Sequence, residues 1–274
     1  MDFDACVAVA THAAQEAGKL MLVCMKECRS LDIEDKSSET DLVTQYDKTC
    51  EDLVRGLLTK FNTTYQIIGE ETYTPSDALK LSPDNEIPVW VVDPIDGTTS
   101  FIHRSFDCSV SIALVVRGQP VVGVVHIPVL QETFTAIAGR GAFCNGERIK
   151  ASDSITLKGS LISVHFPTDR SDERLGVTAA VIKDLLQAPC HGIRCMGSAA
   201  MDMCGVAAGR LDAYVERGIW SWDVAAGTVI VRDSGGVVMD MCGGEIDLVS
   251  RKVLAAASKE LADSVVAVVV KNKY

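Results

Sequence analysis

Residues 89–99 have the sequence Val89-Trp90-Val91-Val92-Asp93-Pro94-Ile95-Asp96-Gly97-Thr98-Thr99, an apolar run that ends abruptly in acid, proline and glycine. The run predicts a buried strand, followed by a sharp turn and the start of a helix. Pro94 stiffens the turn, and Gly97 allows the backbone to approach a ligand closely. Such a turn aims side chains and backbone N–H groups at one point, so we interpret the rest of the chain as its scaffold.

The two aspartates of this turn indicate a metal site. Asp93 and Asp96 lie three residues apart with the carbonyl of Ile95 between them, and these oxygen ligands suit a hard cation. N–H groups at the start of the helix would hold a phosphate beside the metal. The alternative is a plain turn with Asp93 as a strand-end cap, and one short motif does not separate the two.

Composition and charge limit the classes of protein to which the chain can belong. Of its 274 residues 47% are hydrophobic and 23% are charged, as in folded proteins and unlike disordered or fibrous ones. The net charge of −11 argues against nucleic acid and anionic membranes, because both require a basic surface. No apolar run reaches the roughly 18 residues of a membrane-spanning helix. The same negative charge would also oppose a phosphate substrate, unless divalent cations bound to several of the carboxylates dominate the local field.

The ten cysteines predict reduced packing residues and no disulfide framework. They are scattered over apolar or helical settings, none forms a CxxC pair, and no signal-peptide pattern precedes them. The five histidines show no ligand spacing, which disfavours a zinc site. We therefore expect a cytoplasmic enzyme.

Periodicity predicts two lobes that form one compact catalytic unit. The N-terminal lobe, residues 1–152, has two amphipathic helices and then an antiparallel meander that ends in an Asn145-Gly146 hairpin. In the C-terminal lobe, residues 153–274, strands and helices alternate. The polar segment 29–41 predicts a surface hairpin or loop, from which Lys36 could reach a site.

Acids recur at a strand end and a helix start elsewhere in the chain. Glu70 follows the predicted strand 65–68, and Asp223 opens a helix of small residues. Alone, Glu70 could be a surface residue, and Asp223 could simply complement a helix dipole. Because ligands of open α/β sheets converge where strands end, we expect both acids to join Asp93 and Asp96 in one cleft. An all-oxygen ligand set favours Mg²⁺ over zinc or copper.

Three motifs together resemble the signatures of the inositol monophosphatase family. They are Gly69-Glu70-Glu71, Asp93-Pro94-Ile95-Asp96-Gly97-Thr98-Thr99 and Trp222-Asp223-Val224-Ala225-Ala226-Gly227. Further matches in the family's order extend the resemblance over nearly the full length, including Asp41-Leu42-Val43-Thr44 with Asp47, Gly197-Ser198-Ala199-Ala200 and Asp212-Ala213-Tyr214. Several motifs in the right strand and helix contexts suppress the false-positive risk of any single one.

The resemblance implies an α/β (α+β) protein, built as a layered αβαβα sandwich and usually a homodimer. It implies hydrolysis of phosphate monoesters, here an inositol monophosphate, with Mg²⁺ as cofactor and Li⁺ as inhibitor. The small-molecule ester would be the partner, with no nucleic acid and no membrane.

The resemblance also implies two to three Mg²⁺ ions. Glu70, Asp93 and the Ile95 carbonyl would hold the first ion, and Asp93, Asp96 and Asp223 the second, with a looser third ion near Glu70. Two cations roughly 4 Å apart would clamp the attacking and leaving oxygens and lower the pKa of bound water, so no protein nucleophile is needed.

Catalytic roles would fall on Glu70 through the metal and on Thr98, which, hydrogen-bonded to Asp47, would orient and deprotonate the attacking water. The N–H groups of Gly97 and Thr98 would bind the phosphate. The remaining predicted substrate contacts are Asp96, Gly197, Ser198, Ala199, Glu216 and Asp223.

The chain departs from the family pattern at three positions. Ser100 stands where Asn is frequent, Ser198 where Thr is frequent, and Trp220 where an imidazole is common. We expect none of them to touch a metal ligand, and we favour a packing role for Trp220. The sequence leaves other substrates open, namely a sugar phosphate, 2′-AMP, NADP or 3′-phosphoadenosine phosphate. It also leaves open that the chain is a metal-binding interaction protein without catalytic activity.

Overall fold

The computed structural model describes residues 1–27, 33–38 and 41–274, with side chains described for residues 1–26 and 45–274. A short 3-10 helix, Pro75–Leu81, precedes β4. The other elements are, in chain order, α1 (Phe3–Glu27), β1 (Ile33–Ser38), β2 (Asp41–Thr44), α2 (Gln45–Phe61), β3 (Gln66–Gly69), β4 (Val89–Asp96), α3 (Thr98–Ile102), β5 (Ser109–Val116), β6 (Gln119–Ile127), β7 (Glu132–Ile137), β8 (Ala142–Cys144), β9 (Glu147–Arg148), β10 (Leu161–Val164), α4 (Asp172–Gln187), β11 (Gly192–Arg194), α5 (Ala199–Ala207), β12 (Ala213–Arg217), α6 (Ser221–Asp233), β13 (Val237–Met239), β14 (Lys252–Ala256) and α7 (Lys259–Asn272).

Two sheets and three helical layers form the predicted αβαβα sandwich. The larger sheet has the order β3-β4-β5-β6-β7-β8-β9 and the smaller sheet the order β11-β10-β12-β14-β13. α1 and α2 cover the outer face of the larger sheet, α5 and α6 contact both sheets from between them, and α4 and α7 cover the smaller sheet. The fold prediction is confirmed, including the antiparallel meander from β4 to β9.

Strand alternation on β4 explains how the layers are held together. Trp90 and Val92 are buried with α1 and α2, whereas Val89 and Val91 are buried in the cluster that lies between the sheets. That central cluster also includes Phe134 of the larger sheet, with Tyr214 of the smaller one. It therefore joins residues from both sides of position 152, and the predicted lobe boundary there stays a prediction.

The hairpin predicted in the polar segment 29–41 is present in its described part, where β1 and β2 pair antiparallel. The Lys36 side chain lies outside the described residues, so its predicted reach to the site stays a prediction. No helix in ranges 1–27, 33–38 and 41–274 is long and apolar enough to cross a membrane. The nine described cysteines are all free thiols.

Small residues allow α6 to pack tightly against the larger sheet. A Cβ on Gly123 of β6 would lie 2.3 Å from the carbonyl oxygen of Ala226 on α6. Contact at that distance is impossible, so the helix approaches the strand only because no side chain intervenes. This close packing positions the start of α6 relative to the end of β4.

We predict that Gly123→Ala lowers the free energy of unfolding by about 1–3 kcal/mol, because an added methyl overpacks a backbone contact. The matched control is Gly56→Ala on α2, where an added Cβ meets nothing within 4 Å. That change is expected to raise stability by about 0.5–1 kcal/mol through helix propensity. Urea denaturation measures both, and equal stability of the two variants would contradict the packing argument.

Candidate active site

A bulge at the end of β4 places Asp93 and Asp96 on one face of the sheet. Asp93 pairs with Ser111 and Asp96 with Ser109 on β5, so three steps along β4 oppose two steps along its partner. Residues three apart on a regular strand would point to opposite faces, and the extra residue cancels that alternation. Pro94 lies inside the irregularity, where its missing N–H breaks no ladder bond.

Asp223 completes a group of three acids from two elements. Oxygen atoms of Asp93, Asp96 and Asp223 all lie within 4.8 Å of one another, which is close enough to bind a shared cation. The start of α6 is fixed by the Ser111 hydroxyl, which donates to the Trp222 carbonyl at 2.9 Å. β5 therefore fixes the position of Asp223 as well as the pairing of β4.

Glu70 reaches the same edge of the sheet through β3. β3 runs parallel to β4 with Gly69 opposite Val92, and the Glu70 N–H donates to the Val92 carbonyl at 3.2 Å, so Glu70 lies beside Asp93. Its side chain does not belong to the three-acid group of the described residues. Its charge nevertheless acts on the group, since it raises the pKa of Asp93 and of Asp223.

The turn that carries Glu70 is held by Glu51, a buried acid of α2. The Glu51 carboxylate accepts from the Glu71 N–H at 2.7 Å and from the Thr72 hydroxyl at 2.5 Å. A Cβ on Gly69 would lie 2.4 Å from this carboxylate, so only glycine fits there. The sequence analysis missed this role, although an acid one turn after Asp47 on the apolar stripe with Val54 and Leu58 was a usable signal.

Asp96 is oriented by the first turn of α5. Its Oδ2 accepts from the Ser198 hydroxyl and from the Ala200 N–H, both at 2.7 Å, which leaves Oδ1 for a further ligand. Ser198 is fully buried and also caps α5, accepting from the Met201 N–H at 3.2 Å. Ser198 thus contacts a predicted metal ligand, and the expectation that it would not is wrong.

The pKa values show what crowding does to these acids. Burial, followed by the charges of its acidic neighbours, raises the pKa of Asp93 well above its ordinary range. Burial raises the pKa of Asp96 to about 7, although its hydrogen bonds to Ser198 and Ala200 act in the opposite direction. Burial and neighbouring charge also raise the pKa of Asp223. Without a cation, burial and mutual proximity therefore favour the protonated forms of these acids.

Thr98 links the metal ligands to a second buried acid. Its hydroxyl lies 3.2 Å from Asp47 Oδ1 and 3.3 Å from the Ile95 carbonyl oxygen. The hydroxyl has a single proton, so donation to Asp47 leaves its lone pairs and the Ile95 carbonyl available to a ligand. Asp47 itself is fully buried at the start of α2.

Three of the residues predicted to face the substrate, Gly97, Gly197 and Ser198, lie together beside Asp96. Gly97 has φ 88°, and a Cβ there would lie 2.8 Å from the Asp107 carbonyl oxygen. Gly197 has φ 100° and is exposed, while Ala199 is buried at the start of α5. Glu216 is half-buried at the end of β12. Ser100 donates to Asp107 Oδ2 at 3.0 Å, so this departure has a local partner.

Trp220 belongs to an aromatic cluster at the start of α6. Its ring stacks on Trp222 at 5.1 Å between centroids, and the Arg251 guanidinium lies 3.8 Å above it. Tyr73, which follows the Glu70 turn, contacts both tryptophans. The packing role therefore has direct support, but the Trp220 N–H also donates to Asp223 Oδ2 at 2.6 Å. The expectation that Trp220 touches no metal ligand is wrong for its backbone.

Known proteins resemble this chain over nearly its whole length. The model of the inositol monophosphatase family matches residues 2–274. Human inositol monophosphatase 1 is 38% identical over 260 residues, which cover 95% of this chain and 92% of that protein. The structure of extragenic suppressor protein SuhB from Bartonella henselae aligns with TM-score 0.86 at 31% identity, covering 96% of this chain and 98% of that one. The IMPase of Thermotoga maritima aligns with TM-score 0.83 at 32% identity over 96% of each chain.

The chain belongs to the inositol monophosphatase family. It is accordingly a phosphatase of the hydrolase class, in a family of metal-dependent enzymes. Its donor set fits such a metal, because the converging atoms are all oxygens and the raised pKa values show an uncompensated excess of negative charge.

We predict that Asp223→Asn stabilises the metal-free protein by about 1–3 kcal/mol, because it removes one of several crowded buried charges. Asn keeps the acceptor for the Trp220 N–H. The folded-state pKa of Asp223 is raised, so the wild type loses stability as pH rises above the ordinary pKa of Asp. The gap between variant and wild type should be smallest near pH 4 and widen toward pH 8.

Thermal unfolding in EDTA and in saturating Mg²⁺ measures this effect. Mg²⁺ at about 100 times its dissociation constant should stabilise the wild type by about 2.7 kcal/mol. It should stabilise Asp223→Asn far less. The control is Asp84→Asn in the exposed loop before β4, which should behave as wild type. A metal-free Asp223→Asn protein less stable than wild type at pH 8 would refute the crowding argument.

Proposed function

We propose that this protein hydrolyses an inositol monophosphate to inositol and phosphate with Mg²⁺ as cofactor. The observation that carries the proposal is the convergence of three carboxylates from β4 and α6 within 4.8 Å, next to the hydrogen-bonded pair of Thr98 and Asp47. The relatives named for inositol phosphates align over nearly the whole chain, which favours this substrate over other phosphate monoesters.

In this proposal Glu70, Asp93 and the Ile95 carbonyl hold a first Mg²⁺, and Asp93, Asp96 and Asp223 hold a second. A third ion would lie near Glu70. When bound, the metal supplies Lewis-acid charge to the phosphoryl oxygens and lowers the pKa of water. Asp96 offers Oδ1 for this purpose, because its other oxygen is bound by Ser198 and Ala200.

The chain's own groups position the reactants. Thr98, with its proton directed to Asp47, accepts a hydrogen bond from the attacking water and fixes its direction. The N–H groups of Gly97 and Thr98 face the phosphate. The remaining substrate contacts in the proposal are Asp96, Gly197, Ser198, Ala199, Glu216 and Asp223. Because the Ser198 hydroxyl is engaged by Asp96, Ser198 meets the substrate through its backbone.

Assembly, location and inhibition complete the proposal. We place the enzyme in the cytoplasm as a homodimer that Li⁺ inhibits, with the lobes joined near residue 152. Light scattering of the purified protein tests the dimer, and a monomer at micromolar concentration would contradict it.

We predict that the enzyme releases phosphate from inositol 1-phosphate only with Mg²⁺ and that Li⁺ inhibits this release. Asp96→Asn should lower kcat about 10³-fold or more, because it removes charge at the transition state while keeping the acceptor for Ser198 and Ala200. Asp84→Asn is again the control. The measurement compares inositol 1-phosphate with glucose 6-phosphate, 2′-AMP, NADP and 3′-phosphoadenosine phosphate. A higher kcat/KM on any of the last four esters would show that this ester, and not inositol 1-phosphate, is the preferred substrate. No phosphate release from any ester would favour a non-catalytic scaffold.

Loss of the Thr98 hydroxyl should affect turnover more than metal binding. We predict that Thr98→Ala lowers kcat about 10²-fold or more, because the water loses its acceptor, while Thr98→Ser recovers most of the activity. Isothermal titration with Mg²⁺ should give similar affinities for all three proteins. Equal loss in the Ala and Ser variants would show that the hydroxyl is not the active group.

A further inference from the structure

A buried histidine bridges two carboxylates beneath the substrate side of the site. His165 follows β10, and its ring Nε2 lies 2.5 Å from Asp202 Oδ2 on α5. Its Nδ1 lies 2.8 Å from Glu216 Oε2 on β12. The sequence analysis assigned no role to His165 or Asp202, and the proposed reaction does not use either of them.

Each carboxylate is also held from a second direction. The Ser163 hydroxyl donates to Asp202 Oδ2 at 2.8 Å. The hydroxyl of the fully buried Tyr214 donates to Glu216 Oε2 at 2.5 Å. Both bonds to Glu216 fall on Oε2, so Oε1 is left for a ligand. The Glu216 side chain is therefore fixed in one orientation by two donors.

A carboxylate faces each ring nitrogen at hydrogen-bond distance, and the Gly197 N–H donates to Nε2 as well. Nδ1 therefore carries the proton that it donates to Glu216, and the proton between Nε2 and Asp202 lies in the short bond that joins them. Burial alone would favour the neutral ring, but Glu216 and Asp202 outweigh it and raise the pKa of His165 well above its usual range. The cation is compensated inside the protein, as a buried charge must be.

Exposure shows which end of this network meets a ligand. The side chain of Asp202 is 1% exposed and that of His165 8%, whereas Glu216 retains 18%. The ring also touches the loop that opens α5, since the Gly197 N–H lies 3.2 Å from Nε2. That loop continues into Ser198, which orients Asp96. His165 thus lies between the substrate-facing acid and the turn that supports the metal ligands.

We propose that His165 is a specificity-determining positioning residue, whose ring fixes Glu216 as a charged acceptor for hydroxyl groups of the alcohol part of the substrate. The inference rests on the proposed function and deepens it by adding the residue that fixes the orientation of Glu216. Esters without hydroxyl groups leave the carboxylate desolvated and unpaired, and a second phosphate would meet its negative charge.

The substitutions His165→Asn and His165→Gln each keep one of the two hydrogen bonds of the ring. The side-chain amide of Asn can replace Nδ1 and keep a donor to Glu216. The side-chain amide of Gln can replace Nε2 and keep a donor to Asp202. Both variants lose the buried charge, so both are expected to lose stability to a similar degree. A difference in substrate affinity between them therefore reports on Glu216 and not on general damage.

The test measures KM and kcat for inositol 1-phosphate and for p-nitrophenyl phosphate, which has no alcohol hydroxyl. We predict that His165→Gln raises KM for inositol 1-phosphate about 10-fold or more and changes kcat less than about 3-fold. KM for p-nitrophenyl phosphate should stay within about 2-fold of wild type.

Two further variants serve as controls. His165→Asn should recover much of the lost affinity for inositol 1-phosphate. In the double variant, His165→Gln should change KM for inositol 1-phosphate little beyond the effect of Glu216→Gln. Should His165→Asn fail to fold, His165→Asn with Asp202→Asn removes the carboxylate that this variant leaves unpaired, and it should still bind inositol 1-phosphate more tightly than His165→Gln.

The outcomes distinguish this inference from the proposed function. Equal KM changes for both esters, or no advantage of Asn over Gln, would overturn the role of His165 even if inositol 1-phosphate is the substrate. If the wild type prefers another polyol phosphate, the substrate proposal fails, and the same comparison with that ester decides the role of His165. If the wild type discriminates no hydroxylated ester from p-nitrophenyl phosphate, the specificity role is wrong.

Discussion

Mutual repulsion of three buried carboxylates is the constraint on which the rest of the structure depends. Asp93, Asp96 and Asp223 are held within 4.8 Å of one another, where burial raises the pKa of each and the charges of neighbouring acids raise the pKa of Asp93 and Asp223 further. Such a group is unfavourable for the folded state unless a cation compensates it, and the same excess charge is what attracts a divalent metal. Stability and chemistry are therefore opposed at this site, as is common in enzymes.

The scaffold resists this repulsion by fixing each acid from outside the cluster. Backbone and hydroxyl donors of α5 hold Asp96, and the Trp220 N–H holds Asp223. Close packing of α6 on Gly123 prevents the helix from moving away. Ring contacts of Tyr73 with Trp220 and Trp222 join the turn after Glu70 to the start of the same helix. The acids stay together because their supports lie on elements that are packed into the hydrophobic layers.

A second charged group has the opposite character. His165 offsets one of the two charges of Asp202 and Glu216 within the protein and hydrogen-bonds to both, with Ser163 and Tyr214 as further donors. This network needs no external ion, so it is rigid before a ligand arrives and suits recognition of an alcohol. The metal cluster, in contrast, is completed only by its cation. The protein thus combines a charged group that is held by its own donors with one that needs a cation.

The sequence by itself determined the family through the order of its motifs, and the resemblance to that family implied the αβαβα architecture. Apolar periodicity predicted individual helices and the meander, because it depends on neighbouring residues along the chain. The sequence did not determine how Asp93 and Asp96 come to face the same way, since regular alternation would separate residues three apart. The bulge against Ser109 and Ser111 decided that, and it exists only when β5 is paired. The contacts of Ser198 and Trp220 with metal ligands, and the histidine between Asp202 and Glu216, were likewise decided by tertiary structure. Their partners are distant in sequence, and no local pattern reports a hydrogen bond between elements that meet only after packing.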